Sequence, residues 1–301
     1  MRLVTRGDLD GLTSAVIITG REQVDEILLV EPQDITDKRV EIRADDILVN
    51  LPYDPRCGMW FDHKLLTDSN EKPPAAFEGS YRVAPSAARL VYEYYLERDP
   101  HDAQLLRLER LVDETDRLDA ALLTPDDVEN PRDYILLGFT LDGRTGLGSL
   151  DDYFRKLVEW LKTMSIAEVL QQPEVRERVE RIRGEQAAFK NLLARSSFQL
   201  TNVVVTDLRE LEHIPAGNRF LIYSLFPEAN VSLRVHWGPR AETVVAAVGH
   251  NIFNRTCNTS VGELMSLYGG GGHRGAGTCV LPTDRAADAI EEILMELQAN
   301  G

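Results

Sequence analysis

Two aspartates follow the first apolar segment of the chain, with one residue between them. Asp8 and Asp10 come directly after the strand-like residues 3–5 and precede a helix-like stretch. Ligands of open parallel sheets bind at the carboxyl ends of the strands, so both carboxylates should project into a cleft. Clustered carboxylates suit a hard cation such as Mg²⁺ or Mn²⁺. The structural alternative is that one of the two acids caps the helix N-terminus.

A second candidate pair lies at the end of another short strand. Residues 59–61 are followed by Asp62 and His63, a carboxylate beside an imidazole. Such a pair can bind a metal ion or move a proton. Taken alone, it is also typical of a surface turn.

A glycine-rich segment near the C-terminus is the third candidate site. Four glycines, 269–272, precede His273 and Arg274. Consecutive glycines carry an entropic cost, which indicates that the main chain bends into a cradle or approaches a ligand closely. Amides of such a segment can surround phosphate oxygens, and the two side chains add donors and charge. Arg255 is a further candidate anion ligand, and a flexible linker is the alternative interpretation.

The elements around these residues predict an α/β fold with two domains and a connector. Strand-like residues 3–5, 26–30, 47–51 and 59–61 alternate with helix-like residues 13–20 and 85–98, which is typical of a doubly wound, mainly parallel sheet. We predict a first domain at 1–128, a helical connector at 129–196, and a smaller α/β C-terminal domain with a mixed sheet at 197–301. The strands expected in that last domain are 202–206, 219–225, 231–237, 243–248 and 278–281.

The charge of the chain limits its partners. The 301 residues carry 33 Lys and Arg against 49 Asp and Glu, a formal charge of −16, which disfavours an extended nucleic-acid surface or an anionic membrane. No run approaches the roughly 18 apolar residues of a membrane helix, and no signal-peptide core is evident. Three cysteines without metal-finger spacing suit a reducing compartment. We therefore expect a cytoplasmic protein with a short phosphorylated ligand.

Taken together, the three motifs resemble the DHH phosphoesterase superfamily with its DHH-associated C-terminal domain. Residues 50–53 and 142–148 are most similar to its exopolyphosphatase-related branch. The resemblance implies catalytic roles for Asp8, Asp10, Asp62 and His63. The metal ligands that it implies are Asp8, Asp10, Asn50, His63 and Asp116, with Asp113 as the alternative to Asp116. The substrate-binding residues that it implies are Arg6, Lys64, Arg255, Gly271, Gly272, His273 and Arg274, facing a cleft between the domains.

Three residues depart from the pattern of this family. Arg6 lies where a metal-binding histidine usually precedes the first aspartate, Asn50 replaces a bridging aspartate, and Lys64 replaces the second histidine of the name-giving motif. We therefore expect one well-formed Mn²⁺ or Mg²⁺ site and one weakened site. The predicted function is hydrolysis of an oligonucleotide, a cyclic dinucleotide or polyphosphate. The alternative is a non-catalytic phosphate-binding or sensor protein.

Overall fold

The computed structural model describes residues 1–64, 76–211 and 217–300. The strands of the first sheet are β1 (Arg2–Thr5), β2 (Glu26–Leu29), β3 (Asp46–Val49), β4 (Met59–Asp62) and β5 (Gly79–Tyr81). All are parallel, in the order β2-β1-β3-β4-β5. The chain passes from β1 to one side for β2 and to the other side for β3, which makes the β1–β3 edge the topological switch point.

Register brings the predicted site residues to one edge of this sheet. Val4, Leu48 and Trp60 lie in a single row across β1, β3 and β4. Arg6, Asn50 and Asp62 therefore follow or end neighbouring strands at the same edge. Side chains in β1, β3 and β4 alternate between two apolar cores, one on each face of the sheet. This two-sided burial explains the nearly continuous apolar composition of the strands.

Helices cover both sheets. In chain order they are α1 (Leu9–Ile18), α2 (Pro32–Thr36), α3 (Ala87–Arg98), α4 (Ala103–Leu106), α5 (Glu109–Asp119), α6 (Pro125–Glu129), α7 (Asp133–Thr140), α8 (Leu150–Thr163), α9 (Ile166–Val169), α10 (Pro173–Ser196), α11 (Leu221–Leu225), α12 (Val261–Ser266) and α13 (Ala286–Ala299). Every residue of α1 is buried, because α1 packs against α3, α5 and α8. Within the described ranges, no helix has both the length and the apolar character needed to cross a bilayer.

The chain forms two compact units. The first comprises Met1–Leu122 and Pro131–Ile182, and the second comprises Leu123–Asn130 and Arg183–Gly301. These bounds do not coincide with the expected domains 1–128, 129–196 and 197–301. The physical reason is that helix α8, expected in a connector, contributes Phe154 and other apolar side chains to the core of the first unit.

The second unit contains a mixed sheet, as predicted. Its strands are β6 (Ser197–Leu200), β7 (Val203–Asp207), β8 (Val231–Trp237), β9 (Thr243–His250), β10 (Gly271–His273) and β11 (Ala276–Pro282). Their order is β10-β11-β9-β8-β7-β6, and β7 and β8 are parallel while the other neighbours are antiparallel. The prediction of a strand at 219–225 was wrong. This segment contains helix α11, which lies in the crossover that joins the parallel strands β7 and β8.

Candidate metal centre

Asp10 is a buried carboxylate with a fixed orientation. It lies in the first turn of α1, where Asp8 is the N-cap and accepts a hydrogen bond from the Gly11 amide at 2.9 Å. The two oxygens of Asp10 accept hydrogen bonds from the amides of Ala88 (2.7 Å) and Ala87 (3.0 Å) at the start of α3. Burial, followed by the charges of Asp119 and Asp8, raises the pKa of Asp10 well above its usual range. A nearby cation would therefore stabilise its ionised form.

His63 has an unprotonated ring nitrogen, Nε2, that faces the carboxylate of Asp10. Its Nδ1 lies 3.0 Å from the Ala84 carbonyl oxygen, which can only accept, so Nδ1 carries the proton. The Nε2 atom is buried and lies 3.7 Å from an oxygen of Asp10 and 3.3 Å from an oxygen of Asp119. Nε2 has no hydrogen-bond partner among the described residues. In metal-binding histidines, a hydrogen bond from one ring nitrogen usually fixes the tautomer, so that the lone pair of the other nitrogen can bind the ion.

Asp119 completes a three-residue cluster. One ligand atom from each of Asp10, His63 and Asp119 lies within 4.8 Å of the other two. Asp119 ends helix α5, and only 24% of its side-chain surface is exposed. Burial raises its pKa and the charge of Asp8 adds to this shift, whereas the positive charges of Lys64 and Arg6 act in the opposite direction. Two carboxylates and one imidazole are a suitable donor set for a divalent cation such as Mn²⁺.

The structure places Asp116 outside this cluster. Asp116 accepts hydrogen bonds from the Ser86 hydroxyl (2.5 Å) and the Arg89 Nε (2.8 Å). Asp113 is also paired with Arg89, and 59% of its side-chain surface is exposed. Of the three aspartates in this segment, Asp119 lies in the cluster, and Asp116 and Asp113, the residues expected from the sequence, do not. The guanidinium of Arg89 holds both of those aspartates at the start of α3.

Helical periodicity is a sequence signal that favours Asp119 over Asp113. The buried face of α5 contains Leu111, Val112 and Thr115, and the Thr115 hydroxyl lies 2.7 Å from the Thr13 hydroxyl of α1. Residue 119 is one turn beyond Thr115 on this face, since side chains four residues apart are neighbours. Asp116 is likewise one turn beyond Val112, so the spacing alone does not separate it from Asp119.

Asp62 lies next to the cluster at the end of β4. It is 4% exposed, and one of its oxygens accepts a hydrogen bond from the His63 amide at 2.9 Å. Burial raises the pKa of Asp62, although the charge of Lys64 and the hydrogen bond from the His63 amide oppose this shift. A carboxyl whose pKa is raised can hold a proton at a pH where an exposed carboxyl cannot.

Arg6, Asn50 and Lys64 form a polar group beside the carboxylates. Arg6 pairs with Asp8 at 3.1 Å and with Glu31 at 3.6 Å. Asn50 is fully buried, and its Oδ1 accepts a hydrogen bond of 2.5 Å from the Lys64 ammonium. The Asn50 oxygen, expected to be a metal ligand, is therefore occupied by Lys64.

The glycine-rich segment forms an edge hairpin, where a loop was expected. Strand β10 pairs with β11 through Gly271–Thr278, Gly272–Gly277 and His273–Ala276. Gly272 has φ +153°, and a Cβ there would lie 2.2 Å from the Ala276 carbonyl oxygen, whereas a Cβ on Gly271 would meet nothing within 4 Å.

The basic residues expected to bind substrate in this unit are exposed. The His273 Nδ1 accepts a hydrogen bond from the Gly275 amide at 3.1 Å, so in the neutral ring the Nε2 carries the proton. Arg274 is exposed, and its carbonyl oxygen accepts from the Val261 amide at 3.0 Å. The Nε of Arg255 donates to the Ile252 carbonyl at 3.2 Å.

Comparison with solved structures identifies the fold first. The chain is 13% identical to the DHH domain of a member of a family of ribosomal proteins, with a TM-score of 0.66 over 99% of this chain and 86% of the other. It is also 13% identical to RecJ from Thermus thermophilus, solved with Mn²⁺, with a TM-score of 0.55 over 98% of this chain and 52% of the other. Both similarities show that this is the DHH fold. No family model and no curated protein matches the sequence.

A full-length relative identifies the family. The chain is 38% identical to the pGpG-specific phosphodiesterase PggH of Vibrio cholerae, with a TM-score of 0.79 over 100% of this chain and 99% of the other. The chain therefore belongs to the DHH phosphoesterase superfamily, as its motifs predicted. The comparison supports a phosphoester hydrolase over the non-catalytic alternative.

Proposed function

We propose that the protein hydrolyses the phosphodiester bond of a linear, 5′-phosphorylated dinucleotide such as pGpG. The observation that supports this substrate most directly is the 38% identity, over the whole chain, to a pGpG-specific phosphodiesterase. Addition of one water molecule across the internal phosphodiester of pGpG yields two molecules of GMP. Cyclic dinucleotides, pyrophosphate and polyphosphate are competing substrates that the experiment below distinguishes.

Asp10, His63 and Asp119 would hold a divalent metal ion, and we propose Mn²⁺ in preference to Mg²⁺. The set contains an imidazole, which Mn²⁺ accepts more readily than Mg²⁺ does. A bound divalent ion would polarise a phosphoryl oxygen and lower the pKa of water. The amides of Ala87 and Ala88 donate to Asp10, and the Nδ1–H of His63 donates to the Ala84 carbonyl. These hydrogen bonds orient two of the ligands before any ion binds, which lowers the entropic cost of binding.

We propose that the other site residues neutralise the charge of the substrate phosphate and transfer a proton to the leaving group. Arg6 and Lys64 would neutralise substrate phosphate as side-chain cations. Asp62, with its raised pKa, would supply the proton that the leaving oxygen gains as it departs. Asp8 would hold Arg6 in place through their ion pair.

In the second unit, we propose that the β10 edge and nearby basic side chains bind substrate phosphate. Gly271 presents main chain without a side chain at an exposed strand edge, and the exposed ring of His273 carries an Nε2–H donor when its Nδ1 accepts from Gly275. Arg255, Gly272 and Arg274 stay in this proposed set. Such contacts would affect substrate affinity more than the chemical step.

The experiment is product analysis with purified full-length protein in the presence of Mn²⁺. Substrates are pGpG, a linear trinucleotide, cyclic di-GMP, pyrophosphate and polyphosphate, and products are separated by ion-exchange chromatography. We expect two GMP per pGpG, loss of activity in Asp119→Asn, and retained activity in the matched control Asp113→Asn. Release of phosphate from pyrophosphate or polyphosphate without turnover of pGpG would contradict the proposed substrate. Absence of turnover on every substrate, with metal bound, would contradict the proposed reaction.

A further inference from the structure

We infer that this site takes a single divalent ion, and that Arg6, Asn50 and Lys64 form a metal-free half that binds the phosphoryl group. The inference rests on the proposed function, because it assigns roles in that same site. It differs from an arrangement of two metal ions, in which these positions would supply metal ligands. We call these three residues the cationic half of the site.

Arg6 is held by the carboxylate that a second ion would need. Its Nη1 lies 3.1 Å from the Asp8 Oδ2, so the charge of Asp8 is already compensated by a side chain. Burial alone would lower the pKa of Arg6, but the carboxylates of Asp8, Glu31, Asp119 and Asp10 outweigh it and raise that pKa. Arg6 is therefore a permanent cation beside the cluster.

Asn50 is oriented as a donor. The ammonium of Lys64 donates to its Oδ1, and an ammonium has only donors, so the amide oxygen must face it. The Nδ2 atom then points elsewhere, is fully buried, and has no hydrogen-bond partner in the part of the chain that the structure describes. An unpaired buried amide group is unfavourable, and a phosphoryl oxygen of the substrate would supply the missing hydrogen-bond acceptor.

Two side-chain cations disfavour a second divalent ion. Arg6 pairs with Asp8, and Lys64 donates to Asn50, so both cations lie at positions where a second ion would need its ligands. A second ion would be repelled by these charges, whereas Asp10, His63 and Asp119 can still hold the first.

The cationic half would act on the substrate in two ways. Arg6 and Lys64 attract the phosphodiester and any neighbouring phosphate, and the Asn50 amide donates to a phosphoryl oxygen as negative charge develops there. Removal of one such preorganised donor typically lowers kcat by about 10²–10³-fold. Asn50 is thus assigned as a catalytic residue that touches substrate, with no role as a metal ligand.

The first test counts bound metal. Full-length protein is dialysed against excess Mn²⁺, bound manganese per chain is measured by elemental analysis, and electron paramagnetic resonance distinguishes isolated ions from coupled pairs. We expect one isolated Mn²⁺ per chain. Two coupled ions would overturn the inference and leave the proposed function intact. No bound ion would overturn the metal site of the proposed function, and this inference with it.

The second test separates a donor from a ligand at position 50. Asn50 has φ +58°, a conformation that glycine adopts without strain, so Asn50→Gly removes the amide and preserves the backbone. We expect kcat for pGpG to fall about 10²–10³-fold, with one Mn²⁺ still bound at unchanged affinity. A loss of Mn²⁺ affinity in Asn50→Gly would overturn the inference.

Lys64→Met is the second variant. It tests the phosphate-binding role of these residues even if Asn50→Gly does not fold. We expect one bound Mn²⁺, a higher KM and a lower kcat, because both the phosphate contact and the orientation of Asn50 are lost. A gain of a second Mn²⁺, or kinetics equal to those of the wild type, would overturn the role assigned to Lys64.

Discussion

The Nε2 atom of His63 lies 3.3 Å from a carboxylate oxygen of Asp119, at the carboxyl edge of the first sheet. The other ring nitrogen of His63, Nδ1, donates a hydrogen bond to the Ala84 carbonyl, so Nε2 carries no proton in the neutral ring. A lone pair and a carboxylate therefore face each other, with the buried carboxylate of Asp10 close by. A divalent cation converts this repulsive arrangement into a stabilising one.

Asp119→Asn should abolish tight metal binding. The substitution keeps the size of the side chain but removes one charged ligand, and we expect the affinity for Mn²⁺ to fall at least ~100-fold, since charge is the main determinant of binding by such a site. Isothermal titration calorimetry measures the change. Asp113→Asn is the matched control on the same helix, and its affinity should equal that of the wild type. Equal affinity in Asp119→Asn would show that the ligand lies elsewhere.

Asp116→Ala should destabilise the protein. Asp116 accepts hydrogen bonds from Ser86, the N-cap of α3, and from Arg89, and this same helix start supplies the two amides that hold Asp10. We expect a loss of about 2–3 kcal/mol in the free energy of unfolding, because a largely buried charged partner is removed. Urea denaturation with chelator present measures it. Abolished Mn²⁺ binding with unchanged stability would instead identify Asp116 as a ligand.

How far the sequence predicts this site depends on which element carries each residue. Asp10 and His63 could be predicted, because both follow buried apolar strands whose carboxyl ends must meet at one edge. The choice between Asp116 and Asp119 depends on the rotation of α5 about its axis, which the Thr13–Thr115 contact fixes. The segment 219–225 has the composition of a strand, and its helical state depends on the parallel pairing of β7 with β8. Orientation of Asn50 depends on Lys64, which follows the neighbouring strand.

Gly272→Ala should destabilise the protein, whereas Gly271→Ala should leave its stability almost unchanged. A methyl group at Gly272 collides with the Ala276 carbonyl in a positive-φ conformation, so we expect a loss of more than about 2 kcal/mol of stability. A methyl group at Gly271 meets open space, so stability should change by less than about 0.5 kcal/mol. If main chain contacts phosphate there, Gly271→Ala should raise KM for pGpG without lowering kcat. Thermal unfolding and steady-state kinetics check both; an unchanged KM in Gly271→Ala would exclude this contact.

Asp102 should confer stability that is lost in acid. It accepts hydrogen bonds from the Leu105 and Gln104 amides and pairs with Arg21. The amide of Leu105 is the largest cause of the lowered pKa of Asp102, and Arg21 adds to it. Because the folded-state pKa lies below the unfolded one, the contribution is present above the unfolded value, near pH 4, and disappears as the pH falls through the folded value. Asp102→Asn keeps an oxygen that can cap the helix and loses only the charge, so it should be less stable than the wild type by about 0.5 kcal/mol at pH 7, with a smaller difference at pH 3. A difference that does not vary with pH would contradict this assignment.

The location of the metal ion tests the proposed metal centre directly. Crystals of the full-length protein soaked in Mn²⁺ can be measured at the manganese absorption edge, and an anomalous difference map then shows each ion. We predict one peak per chain, within coordination distance of Asp10, His63 and Asp119, and none beside Asn50. A map without a peak between these three residues, or with a peak beside Asp116, would contradict the proposed metal centre.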